Sequence, residues 1–307
     1  KPSMKLCFRG CYQNPVLNYP LFKDGKTTVF HDLLLRNGSD MRFAVIRDEL
    51  LTGIAYRLSD QLCVMTAQYD AAYFNGEYMG LYAIKEAIGT GYFAEHFGVT
   101  EDSVEMHRPE REEHEDFLAL MRYAKENDLT DEEHYRYMES CIDFDSMIDW
   151  LIFEAYSANR DLALNVRYYR SMELDGKWHY ALFDFDLSMN TDASFDALLK
   201  GAWNIIPRKL LQNKTFQDRF LTRFAYLLQH ELSQEAVLAE FDSLIAQIDE
   251  EMVLERARWP KALNNTWEGY ALELKNEILK DRAGQLKASI ADYLNRPLAE
   301  IEAYFEK

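Results

Sequence analysis

The chain has little cysteine, no long apolar run and a shortage of positive charge. Its four cysteines, Cys7, Cys11, Cys63 and Cys141, are scattered and match no zinc-ligand spacing. Gly10 between the first two suggests a bend, so all four are expected as free thiols. No stretch is long and apolar enough for a membrane-spanning helix, and there is no secretory leader pattern. The sequence starts abruptly at Lys1-Pro2-Ser3-Met4; the expectation is that an export signal and the first strands lie ahead of it. Lys and Arg number 34 against 52 Asp and Glu, a formal net charge of −18. That surface repels a phosphate backbone and anionic lipid, which argues against nucleic acid and membrane docking and suits a basic partner. Three glycine motifs are missing as well: G-x-x-x-x-G-K-[ST], G-x-G-x-x-G and G-x-S-x-G. Nor is there an internal repeat, a low-complexity tract or a flexible linker. With 48% hydrophobic residues among 307, the chain can bury a large core, as one domain or two coupled lobes.

What is there centres on residues 159–190, NRDLALNVRYYRSMELDGKWHYALFDFDLSMN. A helix is expected just before it. Asp145 or Ser146 is placed to cap it, and Met147, Ile148, Leu151, Ile152 and Ala155 form its apolar stripe. A polar loop with Asp161 and Asn165 follows. Then come two β-rich runs, Val166 to Arg170 and Trp178 to Phe183, around Asp175-Gly176. With those two as the central turn residues, Leu174 faces Lys177 and Asn165 faces Asp186, with Asp184 on the same face. The hairpin is thus expected to gather Asp161, Asn165, Asp184 and Asp186 at one end. Carboxylate and amide oxygens suit Mg²⁺, which is often completed by substrate phosphates. Protein kinases run in this order too: a loop Asp facing the acceptor, an Asn on metal, a hairpin, then an Asp on metal. A metal-dependent hydrolase or a glycosidase also uses carboxylate pairs such as Asp184/Asp186, but the order of residues favours phosphoryl transfer.

The same stretch resembles the CotH kinase family of atypical protein kinases. Members carry N-x-D-W-P-x-N-N, then D-G-K-W, then D-L-D or D-Y-D. Here these read Asn159-Arg160-Asp161 and Asn165, Asp175-Gly176-Lys177-Trp178, and Asp184-Phe185-Asp186. The loop after Asp161 is one residue shorter, has Leu162-Ala163 where Trp-Pro is usual, and keeps a single Asn. The second specific match is Asn75 to Tyr82, NGEYMGLY, against N-G-E-Y-x-G-L-Y. Arg9, Tyr12 and Leu17-Asn18-Tyr19-Pro20-Leu21-Phe22, then Arg36-Asn37-Gly38, Arg47-Asp48, Lys209 to Asn213 and Phe216 to Leu228 extend the likeness over nearly the whole chain.

The resemblance implies an α+β, two-lobed kinase-like fold. Residues 1–86 would form a small antiparallel β-rich lobe with one helix, and 87–307 a helical lobe holding the 159–190 hairpin. It implies ATP with Mg²⁺, Mn²⁺ being the alternative ion, and transfer to a protein hydroxyl. Asp161 would be the base. Asn165 and Asp184 would bind metal, with Asp186 supporting them or holding a second ion. The lysine that a kinase aims at the phosphates would be Lys5 or Lys1, paired by Asp48 or Glu49 on a helix expected over Met41 to Leu58. Glu86 matches a family Glu and joins the nucleotide-side candidates, with a structural ion pair as its rival role. The partner would be a protein substrate, basic and Ser-rich, at a cell surface, outside the cell or on a spore. The rival from another class is a surface or spore-coat binding protein with this fold and no catalysis.

Elsewhere, strands are expected over 1–9 and 28–37 and a hairpin over 68–86. Helices are expected over 92–98, 116–127, 131–141, 233–257 and 264–294. Residues 99–116, with His107 and His114, read as a solvated loop, and 191–203 as the segment a kinase uses for activation.

Overall fold

The computed structural model describes all residues except 24, 38–45, 61, 110, 163–164, 261–266 and 307. The parts of the two helix expectations that fall on 41–45 and 264–266 therefore lie outside the described residues.

β1 (Met4–Cys7) is followed by a two-stranded ribbon, β2 (Leu17–Asn18) and β3 (Val29–Phe30), and by β4 (Asp32–Arg36). α1 (Arg47–Tyr56) comes next, its inward face made by Leu50, Leu51 and Ile54. β5 (Cys63–Val64), β6 (Ala67–Phe74) and β7 (Glu77–Glu86) follow. Asn75 and Gly76 both have positive φ, 51° and 81°, as a type I′ turn requires, so the Asn-Gly signal sets the β6–β7 hairpin directly. The first sheet has the order β1-β4-β7-β6, antiparallel throughout.

α2 (Thr90–Phe97) ends on Gly98 in the left-handed conformation. Beyond it the solvated-loop reading needs correction. Val104–His107 is a strand, β8, paired antiparallel with residues 168–171. Its polar alternation hides it from a hydrophobicity scan, because partners that bury it come from 60 residues away. His107 is buried there against Phe117, and its Nδ1 accepts the His114 main-chain N–H.

α3 (Glu115–Glu126), α4 (Glu132–Cys141) and α5 (Phe144–Ser157) fall where the periodicity puts them. The α5 cap is Asp143, whose carboxylate accepts the Ser146 N–H, and not Asp145 or Ser146. α5 is buried on every side except Asp145, as a helix apolar all round must be.

β9 (Arg167–Ser171) and β10 (His179–Leu182) make the central hairpin. Its register differs from the two-residue-turn expectation: Tyr169 faces His179 and Tyr168 faces Tyr180. The cause is local. The Ser171 carbonyl accepts both the Leu174 and Gly176 N–H groups, and the Asp175 carboxylate takes the Lys177 N–H, so the loop widens. Pairing stops at Arg167 and Ala181, so Asn165 and Asp186 lie beyond the ladder. The second sheet has the order β5-β10-β9-β8, with β5 parallel to β10.

α6 (Phe195–Leu199), α7 (Ile205–Leu210), α8 (Lys214–Gln229), α9 (Gln234–Arg258), α10 (Trp267–Ile278), α11 (Arg282–Leu294) and α12 (Leu298–Glu302) complete the fold. The single helix expected to Leu294 is two, α10 and α11, broken where Asp281 caps α11 through the Gly284 N–H. The protein is mixed α+β, as expected, with antiparallel and mixed sheets under a helical majority. α9 reaches back to β7: Glu255 accepts the Leu81 N–H at 2.8 Å, and Trp259 Nε1 donates to the Met79 carbonyl at 2.8 Å. Gly80 permits this approach. It has φ +117°, and a Cβ there would sit 2.2 Å from Glu255 Oε2. All four cysteines are free thiols.

Candidate active site

The site is built where the first sheet, α1 and the end of β10 meet. Lys85 lies on β7, inside a run that is otherwise apolar, and is 1% exposed. Its ammonium is held by Asp48 Oδ2 and, at 2.9 Å, by Glu49 Oε1, both from the first turn of α1. Burial works against the lysine's charge. The two carboxylates more than offset that, and the ammonium is held above its usual range. Asp48 is itself buried. Desolvation opposes its ionisation, but Lys85 and the Phe185 N–H prevail and keep it below the usual carboxylate range. Its Oδ1 accepts that Phe185 N–H at 2.9 Å, which ties α1 to the Asp184-Phe185-Asp186 segment.

Asp184 sits in the left-handed region, φ 65°, a conformation Asp tolerates better than most residues. Its Oδ1 is buried without a hydrogen-bond partner. Burial, with the Asp48 carboxylate beside it, raises its carboxyl above the ordinary range, while Arg36 and Lys85 pull the other way. Asp161 is close enough to add to the repulsion. A buried carboxylate with an unused oxygen and a second acid nearby is a donor set that fits a hard cation. Asp186 lies 3.8 Å from Arg36 Nη2.

Asn159 joins the two loops. Its Oδ1 accepts the Asp161 main-chain N–H at 3.1 Å, and its Nδ2 donates to the Asp184 carbonyl at 3.3 Å. The Met189 N–H to the Ser157 carbonyl, 2.7 Å, closes the same pair of segments. Asn165 is buried just before β9, its N–H on the Leu162 carbonyl and its Nδ2 without a partner. Ala163, part of the shortened loop, lies outside the described residues.

In front of Asp184 opens a cavity of about 300 Å³. Five cations line it: Lys5, Arg36, Lys85, Arg108 and Arg167. Against them, among the described residues of the lining, stand Asp48 and Asp184, while Glu49, Asp32 and Asp186 pair with Lys85, Lys5 and Arg36. In a chain of net charge −18, this concentration of cations sets the hollow apart from the acidic surface. Leu34, Met65, Ile88 and Phe183 supply an apolar wall, and Arg167 stacks on the Phe183 ring at 3.9 Å. A larger cavity, about 800 Å³, lies on the far side of α1. Its charged lining is Glu49, Asp70 and Glu240 against Lys23 and Arg57, which does not favour an anion.

The other residues singled out from sequence are placed as follows. Lys5 is at the cavity wall and pairs with Asp32 at 2.9 Å. Lys1 is elsewhere: it is engaged by Glu255 at 2.8 Å and lies over the Tyr82 ring. Glu86 is not in the cavity lining. It pairs with His96 Nε2 at 2.8 Å, and burial raises its carboxyl despite that partner. Lys85, Arg108, Arg167 and Asn159 had no role assigned from sequence. Two of them left a signal: Lys85 closes the apolar run LYAI, and Asn159 opens the motif Asn159-Arg160-Asp161.

Among the described residues no helix is long and apolar enough to cross a membrane. No curated protein matches the chain. The CotH kinase protein family matches residues 24–284 of the 307, a span that holds α1, Lys85, the Asn159–Asp161 loop and Asp184. The family implies a kinase-like enzyme that uses nucleotide and metal. On that match, with this fold beneath it, the chain belongs to the CotH kinase protein family.

Proposed function

We propose that the chain uses ATP with Mg²⁺, or Mn²⁺ in its place, to phosphorylate a hydroxyl on a protein substrate. The observation that carries this reading is the cation-lined cavity closed by Asp184, with Lys85 held by Asp48 at its inner wall. Kinases pair a strand lysine with an acid from a neighbouring helix in the same way. Lys85 therefore takes the phosphate role that sequence offered to Lys5 or Lys1, and Lys5 stands at the wall of the cavity. Arg36, Arg108 and Arg167 hold the remaining phosphate charge. The apolar wall receives the base.

Asp184 and Asn165 hold the metal, with Asp186 beside Arg36 in support. When bound, the ion neutralises charge on the phosphoryl group in transfer. Asp161 orients the acceptor hydroxyl and takes its proton. Asn159 keeps Asp161 in register with Asp184. The acceptor enters the hollow of about 380 Å³ between the catalytic loop and residues 191–203, lined by Asp161's chain neighbours Asn159, Arg160 and Leu162 and by Trp203. Transfer needs little covalent help; positioning and charge neutralisation carry it. The lobes are residues 1–86 and 87–307. The acidic surface suits a basic, Ser-rich surface or coat protein, and the setting is extracellular or spore-associated.

Leu162 in place of the usual Trp favours a second reading, a kinase-like binding protein without turnover. The test is calorimetric binding of Mg-ATP to the parent and to Asp184→Asn. The parent should bind, and the variant should not while keeping its circular dichroism. Equal binding would move the metal to Asp186. A parent that binds neither nucleotide nor metal would end the kinase reading.

A further inference from the structure

The closed end of the central hairpin, away from Asp184, carries an arrangement the catalytic reading does not use. The Trp178 N–H donates to the Cys141 carbonyl at 2.9 Å, and its carbonyl accepts the Asp143 N–H at 3.0 Å. These two bonds set Asp143 and His179 side by side. His179 is wholly buried, stacked on Tyr169 with centroids 5.1 Å apart. Its Nε2 lies 3.1 Å from both oxygens of Asp175. An ionised carboxylate only accepts, so the proton is on Nε2. Nδ1 lies on the other side of the ring, buried. It has no hydrogen-bond partner, and it faces Asp143 Oδ1 across 3.9 Å. At 3.9 Å the two atoms are too far apart to share a proton directly. Two donors about 2.1 Å from a tetrahedral cation stand roughly 3.4 Å apart, so a small closure of this gap seats an ion. One donor atom from each of Asp143, Asp175 and His179 lies within 4.8 Å of the others. The Asp143 and Asp175 side chains keep 18% and 35% exposure, which gives an ion its way in.

We infer that Asp143 and His179 Nδ1 hold a divalent transition-metal ion here, with Asp175 orienting the ring and water completing the coordination. A metal-bound imidazole commonly donates its other N–H to a carboxylate, which fixes the tautomer and strengthens the ligand. Mixed nitrogen and oxygen donors select the zinc class over Mg²⁺. The ion would clamp the hairpin loop to the first turn of α5, the helix whose far end leads into the Asn159–Asp161 loop. The site is separate from the nucleotide cavity and does not depend on the kinase reading.

The test uses the full chain with Asp184→Asn, so that the cavity metal is silenced, and Zn²⁺ alone as the probe. One ion should bind by calorimetry and raise Tm. Asp143→Asn should weaken binding at least tenfold and keep the fold, because Asn caps a helix as well as Asp. Asp175→Asn should weaken it by about 10–100-fold, the usual loss for an orienting partner. Two results would each overturn the inference: no zinc bound, or undiminished binding by Asp143→Asn.

Discussion

The Asp48 carboxylate reaches from α1 to the main-chain N–H of Phe185, 2.9 Å away, and with its other oxygen holds Lys85. One side chain thus links a helix, a strand of the first sheet and the segment that carries Asp184. A change in any of the three is felt by the other two.

Lys85→Met should therefore cost both stability and ligand. It strands two buried carboxylates, and losing one side of a buried ion pair costs about 3–5 kcal/mol. Mg-ATP affinity should fall by at least tenfold. Lys1→Ala is the control: it strands Glu255 beside β7 but touches nothing in the cavity. Denaturant titration and calorimetry on both variants check this. If Lys1→Ala weakens nucleotide binding and Lys85→Met does not, the phosphate lysine has been misplaced.

Asp161 should matter for turnover and not for affinity. A carboxylate that meets only the acceptor hydroxyl acts in the transfer step, so its loss lowers kcat and kcat/KM together. Asp161→Ala should bind Mg-ATP like the parent and lose roughly 10²–10⁴-fold in phosphate transfer to a basic, Ser-rich protein. Equal transfer rates would remove Asp161 from the chemistry.

Glu154 gives the molecule a pH dependence. It is fully enclosed near the end of α5, and burial lifts its carboxyl from 4.5 to about 8, with only Asn159 pulling it down. The folded state therefore holds a proton that the unfolded state releases. Stability carried by that proton is complete below about pH 4.5 and is lost as pH rises to about 8. Glu154→Gln abolishes the loss. Compared with the parent, it should be close to neutral at pH 4.5 and more stable at pH 8 by a few kcal/mol. Denaturant midpoints across that range decide it. A difference that does not grow with pH would mean Glu154 is ionised in the fold.

The Asn75-Gly76 hairpin, α3 to α5 and the separation of Asp161 from Asp184 by a hairpin were legible in the sequence because each is a local preference, while the α+β class came from the family resemblance. Turn residues needing positive φ, apolar periods of a helix and a run of motif residues need no distant partner to be read. Three things waited for the tertiary structure. β8 is four residues long, and its alternation is too short to stand out from the charged run around it until β9 pairs with it. The β9–β10 register follows from Ser171 and Asp175 serving several N–H groups at once, which turn residues alone do not reveal. Lys85 joins Lys5 in the cavity lining because β7 runs through the middle of its sheet and α1 packs against it. A charge can be buried where two carboxylates from another element meet it. Sequence shows the charges and their spacing along the chain, but which of them meet is decided by packing.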